Sequence, residues 1–297
     1  MNIVFMGTPE FALPTLRKIY NSSHSIISVV TQPDRPKGRG QIKVASPIKN
    51  FAIENNIPLL QPENVNAENF IQFLLEKRPD YIIVVAFGQI LHEALLKVPK
   101  QFCINLHSSL LPKYRGAAPI NRAIINGDSR SGVTTMIMDK GMDTGDILLI
   151  RETSIEKDDD AKSLHDKLAE QGGKLILETL ARLEKNNLLP TPQDSDLASY
   201  APKLKKEESL QEELEKFKVD EIPENLIKEE VKILSQGMKE DEIKNKQKEL
   251  EETAKKRIKV GLILNEFGEQ NKIKVEEHEI QAEIQKQFKM MPGQEKM

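Results

Sequence analysis

The sequence predicts an open α/β fold: a Rossmann-like, mostly parallel sheet with helices on both faces, followed by an all-α appendage of helical hairpins. Three observations predict it. Short β-branched runs alternate with helix-like segments up to about residue 185, a polar segment containing three prolines follows, and from 207 onward only helical spacing of apolar residues remains.

Four nearly continuous apolar runs are the predicted strands of the sheet, because such runs suit strands that are buried on both faces. They are residues 2–6, 25–30, 81–87 and 102–106. Helix-like segments lie between them at 9–20, 46–56 and 67–78, and Ser46-Pro47 supplies an N-cap and a first-turn proline for the second of these. Residues 133–139 and 146–155 predict a hairpin, and 161–185 predict a long helix.

The domain division follows from the change in pattern. Residues 1–185 are the predicted first domain, and 186–206 are an extended linker rich in proline and polar residues. Residues 207–297 are predicted to be helical, with helices near 223–236, 241–267 and 276–290.

Composition excludes several classes of protein. The net charge of −3 over 297 residues gives no global basic field for nucleic acid, and the single cysteine, Cys103, excludes a disulfide framework. Cys103 lies in a predicted buried strand, which favours a small core residue over a nucleophile. The first residues lack a signal-peptide pattern and no apolar run approaches the roughly 20 residues of a membrane span, so we expect a cytoplasmic protein with no membrane partner.

Asn105 and His107 end the strand 102–106. Period-two alternation places both side chains on one face of the strand end, where open parallel sheets bind ligands. An amide can donate to a developing oxyanion, and an imidazole can move a proton. Taken alone, an Asn-x-His pair is better explained as a strand cap.

A loop of three carboxylates, Asp139, Asp143 and Asp146, changes that balance, because a carboxylate could orient the imidazole of His107. The alternative is a surface loop with Asx turns. One histidine and scattered aspartates make a poor ligand set, so no metal is predicted.

Residues 32–44 are basic, with cations at Arg35, Lys37, Arg39 and Lys43. Such a segment beside a strand end suits a phosphate backbone, and the alternative is a solvated loop. The first strand–helix turn, GTPEFA, is neither GxGxxG nor a P-loop, so dinucleotide and nucleoside-triphosphate sites are not predicted.

Several stretches together resemble the methionyl-tRNA formyltransferases over about residues 1–208. They are MNIVFMGTPEFALPTL, VVTQPDRPKGRG, SPIKNFA, IPLLQPEN, VVAFGQIL, INLHSSLLPKYRGAAPI, MDKGMDTGDIL and SYAPKL. The resemblance implies the formyltransferase fold. It also implies transfer of a formyl group from 10-formyltetrahydrofolate, as co-substrate, to the methionine amine of initiator methionyl-tRNA, with no metal.

The resemblance also assigns residues. It implies a catalytic trio of Asn105, His107 and Asp143. The folate site would be shaped by Ser109, Leu110, Leu111 and Pro112, and its pterin pocket would be lined by Phe87, Gly88 and Ile90. The 32–44 segment would enter the acceptor arm of the tRNA, with Arg39 foremost, and the KYRG stretch at 113–116 would approach the tRNA end.

The second part contains VDEIPENLIKEEV, KKRIKVGLILNEFGEQNKIKV and MMPGQEKM, and from about residue 216 it resembles the C-terminal domain of trigger factor. Members of the methionyl-tRNA formyltransferase family have, in this place, a β-barrel domain that helps hold tRNA. Three interpretations stay open: a functional fusion, a junction of two genes, or a spacer or oligomerisation element. We favour a joined, incomplete segment. Its apolar helix faces would permit self-association or binding of non-native chains.

Three other functions stay open as well. The first domain could formylate another amine, such as an amino sugar, or hydrolyse formylfolate. The protein could instead be a chaperone-like binding protein that carries an impaired first domain.

Overall fold

A computed structural model gives the structure of the protein. It describes residues 1–37, 42–204, 224–235, 246–248, 250–255, 257–258 and 261. The chain forms two compact units, Met1–Leu204 and Lys205–Met297.

The first unit is built on a mostly parallel sheet, as predicted, and this sheet has seven strands. Its strands are β1 (Asn2–Gly7), β2 (Ser25–Val30), β5 (Leu59–Leu60), β6 (Tyr81–Val85), β7 (Phe102–His107), β8 (Arg130–Ile137) and β9 (Ile147–Ser154). They lie in the order β5-β2-β1-β6-β7-β8-β9. The first five are parallel, and β8 and β9 form the predicted antiparallel hairpin. The separate strands β3 (Arg35–Lys37) and β4 (Ile42–Val44) form an antiparallel ribbon that the sequence did not predict.

The helices of the first unit are α1 (Leu13–Tyr20), α2 (Pro47–Glu54), α3 (Glu68–Lys77), α4 (Glu93–Leu96), α5 (Pro119–Ile125) and α6 (Ala161–Glu184). Ser46 caps α2 as predicted, because its hydroxyl accepts a hydrogen bond of 3.0 Å from the backbone of Lys49. The short elements β5, α4 and α5 were not predicted, since a few residues carry too little periodicity to be recognised.

Alternation along β1 shows how the sheet is covered on both faces. Ile3 and Phe5 pack in one core layer with buried residues of α1, α2 and α6. Val4 and Met6 pack in a second layer with Leu74 of α3 and residues of α4. The predicted arrangement of helices on both faces is therefore confirmed.

The segment after α6 is extended, as the predicted linker would be, but it packs on the first unit. Thr191 pairs with Ile147 of β9, and Tyr200 forms a bridge with Arg115. Residues 186–204, most of the predicted linker 186–206, therefore belong to the compact first unit, which ends at Leu204.

In the second unit, all described residues except Ser235 are helical. Helix α7 (Glu224–Leu234) corresponds to the predicted helix at 223–236. Within the predicted helix 241–267, residues 246–248, 250–255, 257–258 and 261 are helical, and the predicted helix 276–290 lies outside the described residues.

Helix α6 approaches the sheet at the buried residue Gly172. A Cβ atom at Gly172 would lie 2.4 Å from a methyl carbon of Leu106, which stands in β7 between Asn105 and His107. Contacts between carbon atoms are not this short, so the helix reaches β7 only because residue 172 has no side chain.

Gly172→Leu is expected to lower the free energy of unfolding of the first unit by about 2 kcal/mol. Overpacking at this contact should cost about 3 kcal/mol, of which the better helix propensity of leucine offsets about 1 kcal/mol. Lys174→Leu places the same side chain on the exposed face of α6 and should change stability by less than about 0.5 kcal/mol.

Urea titration with pulse labelling of the thiol measures this loss, because Cys103 is the single cysteine of the chain. Burial in the first unit raises the pKa of Cys103 to about 12, so the thiol reacts only when the unit opens. Equal midpoints for the two variants would contradict the expected overpacking.

Candidate active site

A cavity of about 820 Å³ opens beyond the carboxyl ends of β1, β6 and β7. The chain passes from β1 outward to β2 and β5 on one side, and returns to β6 and β7 on the other. Open α/β sheets bind ligands where the strand order reverses in this way. The size of the cavity lies within the range of about 300–1,000 Å³ that is usual for small-molecule sites.

Asn105 and His107 line this cavity together with Asp143, so the structure brings the predicted trio together. The Nδ2 atom of Asn105 lies 3.5 Å from Oδ1 of Asp143, and Nδ1 of His107 lies 3.6 Å from Oδ2. The side chains of His107 and Asp143 are only 7% and 17% exposed. The carboxylate therefore faces two potential donors in a largely water-excluded place, which strengthens its electrostatic effect.

Backbone conformation and a glycine amide hold Asp143 in this position. Its φ of 54° is in the left-handed region, which is unfavourable for a residue with a side chain. The backbone N–H of Gly116 donates a hydrogen bond of 2.8 Å to Oδ2. Helped by these two features, one carboxylate of the loop turns toward the imidazole.

The other two carboxylates of the loop have different positions. Asp139 closes the loop on itself, since it accepts hydrogen bonds from the backbone of Gly141 and the hydroxyl of Thr144. Asp146 is exposed to solvent. Of the three predicted candidates, Asp143 is thus the carboxylate that lies beside His107.

The second ring nitrogen of His107 is bound to the main chain. Nε2 lies 2.9 Å from the carbonyl oxygen of Tyr114, and because a carbonyl can only accept, Nε2 must carry a hydrogen. Nδ1, at 3.6 Å from the Asp143 carboxylate, is beyond hydrogen-bond distance. Nδ1 and the amide of Asn105 are therefore the groups that a ligand in the cavity could engage.

Tyr114, which supplies that carbonyl, is itself fixed. Its φ is 61°, its hydroxyl donates to Asp128 at 2.8 Å, and the amide of Asn126 donates to the same hydroxyl at 2.8 Å. Partial burial raises the pKa of the Tyr114 phenol, so it stays a donor to the Asp128 carboxylate.

Phe87, Gly88 and Ile90, the three residues predicted for a pterin pocket, also line the cavity. The carbonyl oxygen of Phe87 accepts a hydrogen bond of 2.9 Å from Thr8, which ties the end of β6 to the end of β1. Ile90 is 73% exposed and forms part of the apolar rim.

Ser109, Leu110, Leu111 and Pro112 are not among the residues that line the cavity. The hydroxyl of Ser109 donates to the carbonyl of Lys113, and Thr134 bonds to the backbone of both Ser109 and Leu111. These residues shape the site through the turn that presents Tyr114, and the structure does not place them as direct contacts of a ligand in this cavity.

Of the predicted phosphate-binding cations, Arg35, Lys37 and Lys43 belong to the β3–β4 ribbon, and the side chain of Arg35 is exposed. Arg39 lies outside the described residues. The base of the ribbon is anchored, since Asp34 forms an ion pair with Lys49 and accepts a hydrogen bond of 2.9 Å from Gln61.

The expectation that the KYRG stretch approaches a tRNA end is not met at its arginine. Arg115 is only 3% exposed, and its guanidinium donates to Gln193 at 3.1 and 2.8 Å. A surface position was expected because a basic-aromatic-basic pattern carries no local sign of a partner 78 residues away.

His165 of α6 also lines the cavity and was not predicted. Its ring lies edge-on to Phe11 with 5.3 Å between centroids, and its Nδ1 atom is 2.8 Å from Asp166. No motif marks it, because a histidine on an amphipathic helix resembles any surface residue in sequence.

Within the described ranges, no group of three or more His, Cys, Asp or Glu residues is placed to hold a metal ion. Across the same residues, no helix is long and apolar enough to cross a membrane.

Comparison of the sequence with known proteins places the chain in a family. Residues 1–180 match the formyl transferase family model, and residues 198–297 match the model of the C-terminus of bacterial trigger factor. The chain is 54% identical over 210 residues to the methionyl-tRNA formyltransferase of Citrifermentans bemidjiense, covering 71% of this chain and 66% of that protein. It is 52% identical over 208 residues to that of Caldanaerobacter subterraneus subsp. tengcongensis, covering 70% and 67%.

Among solved structures, the phosphoribosylglycinamide formyltransferase from Bacillus halodurans matches with a TM-score of 0.53 and 22% identity, over 62% of this chain and 95% of that one. The sugar 3N-formyl transferase WlaRD matches with a TM-score of 0.52 and 23% identity, over 68% and 70%. At these identities the likeness concerns the fold.

The chain thus spans about two thirds of the length of the two curated relatives described above. The matched model covers 180 of its 297 residues and includes the cavity and its Asn-His-Asp cluster. The chain belongs to the formyl transferase family.

Proposed function

We propose that this protein transfers the formyl group of 10-formyltetrahydrofolate to the methionine amine of initiator methionyl-tRNA. The observation that carries the proposal is the cluster of Asn105, His107 and Asp143 at the strand ends. It stands in a chain whose curated relatives, 52–54% identical, are methionyl-tRNA formyltransferases.

The folate is a co-substrate, and the cavity suits it in size and lining. Phe87, Ile90 and Leu91 offer an apolar wall for a planar ring, and Asn105 and His107 offer polar groups at the inner end. A few convergent polar groups in a mainly apolar cleft are what orient a bound small molecule.

The folate supplies the formyl carbon, and attack by the amine places negative charge on the formyl oxygen. Nδ2 of Asn105 and, when the ring is doubly protonated, Nδ1–H of His107 donate hydrogen bonds to that oxygen. Asp143 stabilises the positive charge of the imidazolium.

The reaction must also move one proton. The attacking amine loses a proton when its nitrogen bonds to the formyl carbon, and the departing folate nitrogen gains one when its bond to that carbon breaks. His107, or a water beside it, relays this proton between the two nitrogens.

We assign recognition of the tRNA to the basic segment 32–44, which contains the β3–β4 ribbon. Arg35, Lys37, Arg39 and Lys43 would contact phosphates of the acceptor arm, which positions the substrate without reading bases. The exposed side chain of Arg35 and the anchored base of the ribbon support this role, since an anchored support reduces the entropy lost on binding.

Asn105→Ala and His107→Ala are each expected to lower the single-turnover rate of formyl transfer about 100- to 1,000-fold, the loss typical of removing one donor to a developing oxyanion. The measurement is transfer of labelled formyl from 10-formyltetrahydrofolate to charged initiator tRNA at saturating substrates. The exposed residues Asn69 and His92 provide matched controls, Asn69→Ala and His92→Ala, which should keep the wild-type rate. Near-normal rates in both site variants would refute the assignment.

A second proposal concerns residues 207–297, which we infer take part in self-association or bind non-native chains. The match to the trigger factor C-terminus supports it, and so does α7, where Ile233 is 54% exposed. Ile233→Glu is expected to weaken concentration-dependent association in sedimentation experiments on the full chain, with Glu229→Gln as the control. A wild-type chain that stays monomeric and binds no unfolded protein would contradict the inference.

A further inference from the structure

A segment beyond α6, residues 191–201, is extended except for a turn at 195–197, and it crosses two loops of the candidate site; we call it the strap. At its start, Thr191 forms two backbone hydrogen bonds of 2.8 Å with Ile147, the last residue of the Asp143 loop (139–147). At its end, Ser199 and Ala201 bond to the backbone of Arg115 at 2.8 and 2.7 Å, in the Tyr114 loop (112–118). The strap lies outside the stretch, residues 1–180, that matches the formyl transferase model.

Between these crossings, one side chain joins both loops. Nε2 of Gln193 donates to the carbonyl oxygens of Asp143 and Gly145 at 2.9 and 2.7 Å. Oε1 of Gln193 accepts from Nε and Nη2 of Arg115 at 3.1 and 2.8 Å. Carbonyls can only accept and a guanidinium can only donate, so only this orientation of the amide satisfies all four contacts.

Both loops supply contacts on which the Asn-His-Asp cluster depends. The Asp143 loop carries the carboxylate itself, at a left-handed residue that holds its conformation only if its surroundings fix it. The Tyr114 loop supplies the carbonyl that binds His107 and, at Gly116, the N–H that binds the carboxylate of Asp143. Gln193 therefore holds the Tyr114 loop and the Asp143 loop at a fixed separation.

The buried charge of Arg115 depends on its hydrogen bonds to Gln193. Its guanidinium is buried, and a buried charge is costly unless its donors are satisfied. Since the neutral amide of Gln193 accepts two of those donors, loss of the amide oxygen would favour rearrangement of the Tyr114 loop toward water.

We propose that Gln193 is a positioning residue for formyl transfer, which acts through Asp143 by fixing its carboxylate against His107. The strap, and not the end of α6, completes the catalytic unit. This inference rests on the proposed function for its kinetic consequences and on the structure alone for its geometric ones.

Gln193→Met has a side chain of similar size and removes all four hydrogen bonds. Gln193→Glu keeps an acceptor for Arg115, but it places a carboxylate oxygen against the carbonyl oxygens of Asp143 and Gly145, which repel it. Both variants are expected to lower the single-turnover rate about 10- to 100-fold, as small displacements of a reacting group do. The Michaelis constants for folate and tRNA should stay within about twofold, because Gln193 does not line the cavity and lies outside the basic segment 32–44. Ser195→Ala, on the exposed turn of the same strap, is the control and should match the wild type.

A double-variant cycle identifies the route. If Gln193 acts through the carboxylate of Asp143, then Gln193→Met added to Asp143→Asn should change the rate by less than about twofold. Independent, multiplicative losses would overturn the inference. Protection of the Cys103 thiol from labelling shows that each variant is folded. If Gln193→Met unfolds, Gln193→Glu replaces it in the cycle.

A spectroscopic measurement separates this inference from the proposed function. The His107 ring resonances, assigned among five histidines with a His107→Asn variant, should shift in Gln193→Met toward their position in Asp143→Asn and stay unchanged in Ser195→Ala. If the His107 resonances shift in Gln193→Met while the wild-type protein transfers no formyl group, the proposed function is refuted and the positioning role is supported. Unshifted resonances would refute the positioning role even in an active enzyme.

Discussion

The carboxylate of Asp143, held against His107 and Asn105, is the contact on which the candidate site depends. Asn105 and His107 stand on consecutive same-face positions of β7. They can act together on a ligand only if a negative charge lies beside the imidazole. That charge sits in a left-handed turn 38 residues along the chain from Asn105. The remainder of the first unit can be understood as the support of this contact.

The support is built in layers. The sheet fixes β7 between β6 and β8. Helix α6 packs closely at Gly172 against Leu106, the residue between Asn105 and His107 in the sequence. The loops then add the Tyr114 carbonyl and the Gly116 amide, and the strap ties both loops together through Gln193. A site assembled from strand ends and loops needs such cross-links, because loops alone hold side chains less tightly than the sheet does.

Much of this could be predicted from sequence where the signal is local. Period-two alternation places Asn105 and His107 on one face, and the apolar runs predict the parallel strands that bring them to the sheet edge. The choice of Asp143 from three carboxylates came from family resemblance, because it depends on a left-handed turn and on Gly116. Gln193 lay in a segment interpreted as a linker, and Arg115 in one interpreted as a surface patch, since hydrogen bonds across 78 residues leave no local pattern.

The most direct test of the account is a single-turnover assay of the full chain with labelled 10-formyltetrahydrofolate. It compares charged initiator tRNA with free amines, a methionine ester and an amino sugar, at equal concentrations. The account predicts that label appears on the methionine amine of the tRNA faster than on either free amine, because only the tRNA has the phosphate backbone that the basic segment 32–44 is proposed to bind. Faster labelling of a free amine, or release of the label as formate with none on the tRNA, would contradict it.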